Sequence, residues 1–156
     1  MSARMNEYLR VQQRLDRLFN SIDIGTLPDE MQEHWPRYLC VLVSGWIEIA
    51  VQELFTEYCR RRSDTRLHRF EQRHFSKVYN CKLGKVLDLA ELFDDDWKEQ
   101  LARDTAGPVK EAVNAIVTNK NKIAHGKPDN ISFIRIRDYY ADAKKLIAML
   151  ETHLLS

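Results

Sequence analysis

The stretch RYLCVLVSGWIEIAVQELFTEYCRRR, residues 37–62, decides the fold class. It is apolar almost all round as far as Val51, a pattern that is typical of a helix buried at the centre of a bundle. Its polar exceptions are spaced by four residues and therefore share one face: Ser44, Glu48 and Gln52. A carboxylate on a buried helix needs a partner or a shifted pKa, so Glu48 stands out.

Helical patterns continue on both sides of this stretch. The apolar spacing predicts further helices at residues 2–21, 82–93, 97–103 and 107–122 and from Ser132 to the end, with a short helix and a loop within 63–81. Residues 23–34 are predicted to be a connection, and Pro36 is placed at the start of the central helix, where its missing N–H costs nothing. Strand signals are nearly absent. The sequence therefore predicts one all-α domain over residues 1–156, a bundle of five to six helices.

Composition excludes several classes of protein. A chain of 156 residues can bury a core without a metal or disulfides, and its cysteines, Cys40, Cys59 and Cys81, form no paired motif. We predict that Cys40 and Cys59 are core residues in a reducing cytoplasm. The N-terminus lacks an apolar signal region, and the longest apolar run, residues 38–43, is far below the ~18 residues of a membrane span. No membrane partner is expected.

Positive charge is concentrated in one segment. Residues 60–85 contain six Arg and three Lys against two acids, a net charge of 9 − 2 = +7, whereas the whole chain has +1. The arginines of this segment are candidate phosphate contacts: Arg60, Arg61, Arg62, Arg66, Arg69 and Arg73. A solvated basic face is the alternative, and it stays open. Phe70 and Phe75 are too sparse to predict base stacking.

The segment NKNKIAHG, residues 119–126, is the one local motif that points to chemistry. Glycine-rich phosphate loops, HExxH and GxSxG are all absent from the sequence. Taken alone, His125 and Gly126 have a structural explanation. Glycine adopts the left-handed conformation after a helix, and a histidine there meets the negative end of the helix dipole.

The same segment resembles the signature of HEPN domains. In one bacterial branch of that family the signature reads Arg-Asn-x-Ile-Ala-His-Gly, and residues 121–126 read NKIAHG. Three other islands are similar to that branch: SGWIE at 44–48, FDDDW at 93–97 and YY at 139–140. The likeness covers most of residues 35–155 and is to the HEPN subgroup associated with RiboL-PSP and related prokaryotic defence and toxin systems. One position departs from it, because Lys120 stands where the family has Arg, and lysine lacks the planar fork that grips phosphate.

The resemblance implies a helical homodimer that cuts RNA without a metal or cofactor, as a toxin or antiphage effector. It implies that His125 is the acid or base, that Lys120 stabilises phosphate charge, and that Asn121 orients His125 or binds phosphate. Glu48 would pair with Lys120 or fix the His125 tautomer, or would make only a helix–helix contact. RNA would be held by Arg61, Arg62, Arg66, Arg69, Arg73 and Lys122, and an antitoxin or defence protein is a further expected partner.

Two rival functions stay open. A non-catalytic HEPN module would dimerise and bind a partner protein or nucleic acid, and Lys120 in place of arginine favours it. A helical DNA-binding regulator would use the 60–85 segment and would be indifferent to His125.

Overall fold

The computed structural model describes residues 7–156, and seven α-helices form a bundle. Their bounds are α1 Glu7–Ser21, α2 Asp29–Arg62, α3 Thr65–Phe75, α4 Leu83–Glu91, α5 Asp95–Asp104, α6 Pro108–Ala124 and α7 Phe133–Leu154. No strand occurs in this described range, so the all-α prediction is confirmed. The count of five to six helices is too low, because the two short segments both form full helices, α3 and α5, each capped at its start by an aspartate, Asp64 and Asp94. Residues 2–6 of the predicted first helix lie outside the described part.

The start of the central helix differs from the prediction. Helix α2 begins at Asp29, so Pro36 lies inside the helix and not at its first turn. Pro28 leads the extended chain into the helix, and Asp29 and Glu30 place two carboxylates at the positive end of the helix dipole. Pro36 removes one hydrogen bond within the helix, but its ring is buried in the core.

Helix α2 is the axis of the bundle. It packs against α1, α3, α6 and α7, and side chains such as Trp46 and Phe55 are fully buried along it. By length and composition alone α2 could cross a membrane, since its most apolar stretch has a mean hydropathy of 1.5. Of that stretch, 56% is buried inside the bundle, as in the core helix of a helical protein.

Several side chains that carry reactive groups are structural. All three cysteines are buried and free, and burial raises the pKa of the Cys40 and Cys81 thiols to about 12. These thiols stay protonated at neutral pH, and protonated thiols are poor nucleophiles. Tyr140 lies in the core, where its hydroxyl donates to Asp16 Oδ1 at 2.7 Å.

Candidate functional site

Helix α6 carries the motif at its C-terminal end. Gly107 has a φ of 90°, which favours glycine, and Pro108 then occupies the first turn of the helix. The buried face of α6 consists of Val109, Ala112, Val113, Ile116 and Val117. Lys120 lies three residues after the last of these and continues the same face. It is therefore half-buried, with its stem along the bundle.

The Lys120 ammonium is held by an asparagine from another segment. Its Nζ donates to Asn80 Oδ1 at 3.1 Å, and the backbone N–H of Asn80 donates to Glu48 Oε1 at 2.9 Å. Asn80 thus joins a cation of α6 to a carboxylate of α2. Its φ of 51° is left-handed, a conformation that asparagine tolerates better than most residues.

The loop that carries Asn80, residues 76–82, is fixed on both sides. Gln52 Nε2 donates to the Val78 carbonyl at 2.8 Å, so two polar residues of α2, one turn apart, bind this loop. On the other side the Leu83 N–H donates to Asn114 Oδ1 of α6 at 2.9 Å. The position of Asn80, and with it that of Lys120, is set by both α2 and α6.

His125 terminates α6 with its side chain exposed. Its backbone N–H donates to the Asn121 carbonyl at 3.1 Å, and Gly126 N donates to Ile123 O at 3.2 Å. Gly126 has a φ of 64°, so it is the left-handed glycine that the sequence predicts after the helix. Among the hydrogen bonds within residues 7–156, none involves the His125 imidazole, so the ring is open to solvent and to a ligand.

An ion pair anchors the chain just after His125. Arg37 Nε lies 2.9 Å from Asp129 Oδ2, and the Asp129 side chain is only 5% exposed. Asp129 Oδ1 also accepts from the Ile131 N–H at 3.1 Å. The turn that follows the motif is thereby tied to α2, which limits the positions His125 can take.

We expect Asp129→Ala to lower the free energy of unfolding by about 2 kcal/mol in urea denaturation. Removing one partner of a fully buried ion pair costs ~3–5 kcal/mol. The cost is smaller here because the Arg37 side chain is 33% exposed, so water can solvate its guanidinium once Asp129 is gone. The matched control is Asp138→Ala, which breaks an exposed pair with Arg137 and should cost under ~1 kcal/mol. Equal losses for the two variants would contradict the anchoring role of Asp129.

The predicted catalytic residues fall into two groups. Lys120 and Glu48 meet through Asn80, and within the described chain Glu48 hydrogen-bonds to neither Lys120 nor His125 directly. His125 and Asn121 lie one turn apart at the end of α6. Lys120 and His125 are five residues apart, which corresponds to roughly 140° around a helix and ~7.5 Å along it. One chain therefore presents its ammonium and its imidazole in different directions.

The predicted RNA-binding arginines also fall into two groups, those that contact side chains of α2 and those that are free within residues 7–156. Arg60 and Arg61 both bind the Glu57 carboxylate, at 2.7 Å and 2.9 Å, and these contacts hold the Glu57 pKa at about 2. The Arg62 guanidinium lies 3.8 Å from the centre of the Tyr58 ring. In contrast, three exposed arginines of α3 have no ion pair in the part of the chain that the structure describes: Arg66, Arg69 and Arg73. Lys122 is half-buried near the end of α6.

Sequence reasoning missed Asn80, Arg37 and Asp129. The one local signal was the preference of asparagine for left-handed turns, because the partners of all three residues lie far away along the chain. Within residues 7–156 no group of three or more His, Cys, Asp or Glu side chains is arranged to hold a metal ion.

Comparison with known proteins gives one match. A family model described as RiboL-PSP-HEPN matches residues 6–156. No curated protein and no solved structure gives a significant match. The matched range includes all seven helices and the 119–126 segment.

Proposed function

The chain belongs to the RiboL-PSP-HEPN family, and on that premise we propose that it is a metal-independent endoribonuclease. The observation that carries the proposal is the end of α6, where His125 has an exposed imidazole and Lys120 has an ammonium held by Asn80. An imidazole takes and gives protons near neutral pH, and an ammonium attracts phosphate. The test is whether the purified protein cuts RNA in the presence of EDTA.

The reaction that fits these groups is transesterification within the RNA strand. His125 removes the proton of a 2′-hydroxyl, and the oxygen attacks the adjacent phosphorus. The bond from phosphorus to the 5′-oxygen breaks, and an acid delivers a proton to that oxygen. The products are a 2′,3′-cyclic phosphate and a 5′-hydroxyl. No water, metal or oxidant is consumed in this step.

Lys120 stabilises the charge that builds on the phosphate oxygens. An ammonium has three N–H donors, and Asn80 takes one of them, which leaves two for phosphate. Glu48 acts as a positioning residue because it holds Asn80. Asn121, one turn before His125, is close enough along the helix to orient the imidazole or to donate to phosphate.

A second copy of the chain would supply the second imidazole. One motif provides a single histidine, while the reaction needs a base and an acid. One side of α2 exposes apolar side chains, Met31 at 48%, Tyr38 at 42% and Val41 at 41%, and Glu48 follows them along the same side. We infer that two copies pack along this stripe, which would bring the two motifs to one cleft.

We expect Val41→Glu to turn the dimer into a monomer and to reduce cleavage to the level of an inactive variant. A charge on an exposed helix position leaves the fold intact but is costly inside an apolar interface. Light scattering gives the mass, and an RNA gel gives the activity. The control is Leu92→Glu, at a residue that is 69% exposed on another surface. A Val41→Glu protein that stays dimeric and active would exclude this stripe as the interface.

The alternative is a HEPN module that binds a partner without catalysis. What favours it is Lys120, which stands where the resemblance expects arginine and which already donates to Asn80. Lys120→Arg distinguishes the two functions. Increased cleavage would indicate an enzyme weakened by lysine, whereas two inert proteins would indicate a binding module.

The proposed biological role is that of a cytoplasmic toxin or antiphage effector. A nuclease that is not restrained would harm its own cell, so an antitoxin or another defence protein is the expected partner. Induced expression should degrade cellular RNA and slow growth, and His125→Ala should do neither.

A further inference from the structure

The outer face of α3 combines free positive charge with an exposed aromatic ring. Phe70 is 68% exposed, whereas Phe75, on the opposite side of the helix, is 4% exposed. Arg66 lies four residues before Phe70 and Arg73 three residues after it, so both flank the ring on one face. The sequence pattern does not predict which of the two phenylalanines is exposed, whereas the structure shows that Phe70 is.

No carboxylate interrupts this face. The acid within α3, Glu71, is turned towards the turn before the helix, where Oε2 accepts from Ser63 Oγ at 2.9 Å. The His74 ring stacks beside Phe70 with 6.0 Å between the ring centres. The α3 face, which we define as Arg66, Arg69, Phe70, Arg73 and His74, is therefore basic and aromatic, with the exposed Leu67 beside it.

We propose that the α3 face binds single-stranded RNA, with one base stacked on Phe70 and the flanking phosphates on Arg66 and Arg73. This inference rests on RNA being the substrate, as proposed above, and adds which form of RNA is bound and where. Stacking on an exposed ring requires an unpaired base, because the bases of a duplex stack on each other. An acidic protein would use the arginines but would have no need of the ring.

The α3 face leads directly to the candidate catalytic residues. Its C-terminal end continues into the 76–82 loop, in which Tyr79 is 56% exposed. The next residue, Asn80, holds Lys120. A strand bound on Phe70 therefore runs along basic and aromatic side chains towards the phosphate-binding ammonium.

The experiment measures binding in protein that does not cut RNA. In a His125→Ala background, fluorescence anisotropy compares a labelled oligoadenylate with the same strand annealed to oligouridylate. Phe70→Ala should weaken single-strand binding by roughly 5- to 150-fold, the usual loss for one stacked base, and should leave duplex binding unchanged. Phe70→Tyr should restore it. The control, Leu92→Ala, removes an apolar side chain of equal exposure elsewhere and should have no effect.

The salt dependence of RNA affinity distinguishes the contribution of the Phe70 ring from that of the arginine charges. Arg66→Gln should reduce the slope of log affinity against log salt by about 0.7, the value for one phosphate contact on a single strand, while Phe70→Ala should leave the slope unchanged. Single-strand affinity that is indifferent to Phe70→Ala, or an equal loss for duplex, would overturn the proposal. Phe70-dependent binding by a wild-type protein that cuts no RNA would reject the nuclease and retain the α3 face.

Discussion

His125→Ala is expected to lower the rate of RNA cleavage by about 10²- to 10⁴-fold, the usual contribution of a general acid or base. If each of two motifs supplies one proton-transfer group, a symmetric dimer loses both, so the larger figure applies. His125 is exposed and caps α6 through its backbone. The variant should therefore fold normally, since surface substitutions change stability by under ~0.5 kcal/mol. A single-turnover RNA gel assay measures the rate, and circular dichroism checks the fold.

The matched control is His153→Ala. His153 stacks on Trp97 with 4.0 Å between ring centres, in the last turn of α7 and away from the motif. Its loss should leave the cleavage rate unchanged at a temperature well below unfolding. An equal decrease in both variants would point to a general effect on folding, and a His125→Ala protein of full activity would exclude the site.

Lys120→Ala should lower kcat by about 10²- to 10³-fold, the usual effect of removing a group that stabilises charge in the transition state. The effect should fall mainly on kcat and little on KM, because the extra charge on phosphate is absent from the bound substrate. Lys145→Ala is the matched control, since it removes an exposed lysine that pairs with Asp142 on α7. An increase in KM with kcat unchanged would indicate that Lys120 only binds RNA.

Local patterns were sufficient for the helices and for the motif. The apolar stripe of α6 and the N-cap of α7 both follow from neighbouring residues, and Ser132 does accept from the Arg135 N–H. The same holds for the end of α6, because Gly126 needs only its own flexibility to adopt a positive φ. The resemblance to HEPN domains rests on such local segments and is confirmed by the family match.

Contacts between segments that are far apart along the chain could not be predicted from local sequence patterns. The sequence indicates that Glu48 needs a partner, but that partner is a backbone N–H 32 residues away, at Asn80. The missing N–H of Pro36 favours a helix start, but the proline lies inside α2 with its ring buried. Which arginines are paired and which are free in the described chain depends on Glu57, whose carboxylate forms ion pairs with Arg60 and Arg61.

The most direct test of the proposed chemistry is the nature of the RNA ends. Wild-type protein is incubated with RNA in EDTA, and the products are analysed by mass spectrometry. Attack by the 2′-hydroxyl predicts a 2′,3′-cyclic phosphate on one fragment and a 5′-hydroxyl on the other. It also predicts that a single 2′-deoxy substitution at the cut site prevents cleavage. Fragments with 5′-phosphate ends, or cleavage that persists at the deoxy position, would contradict the mechanism.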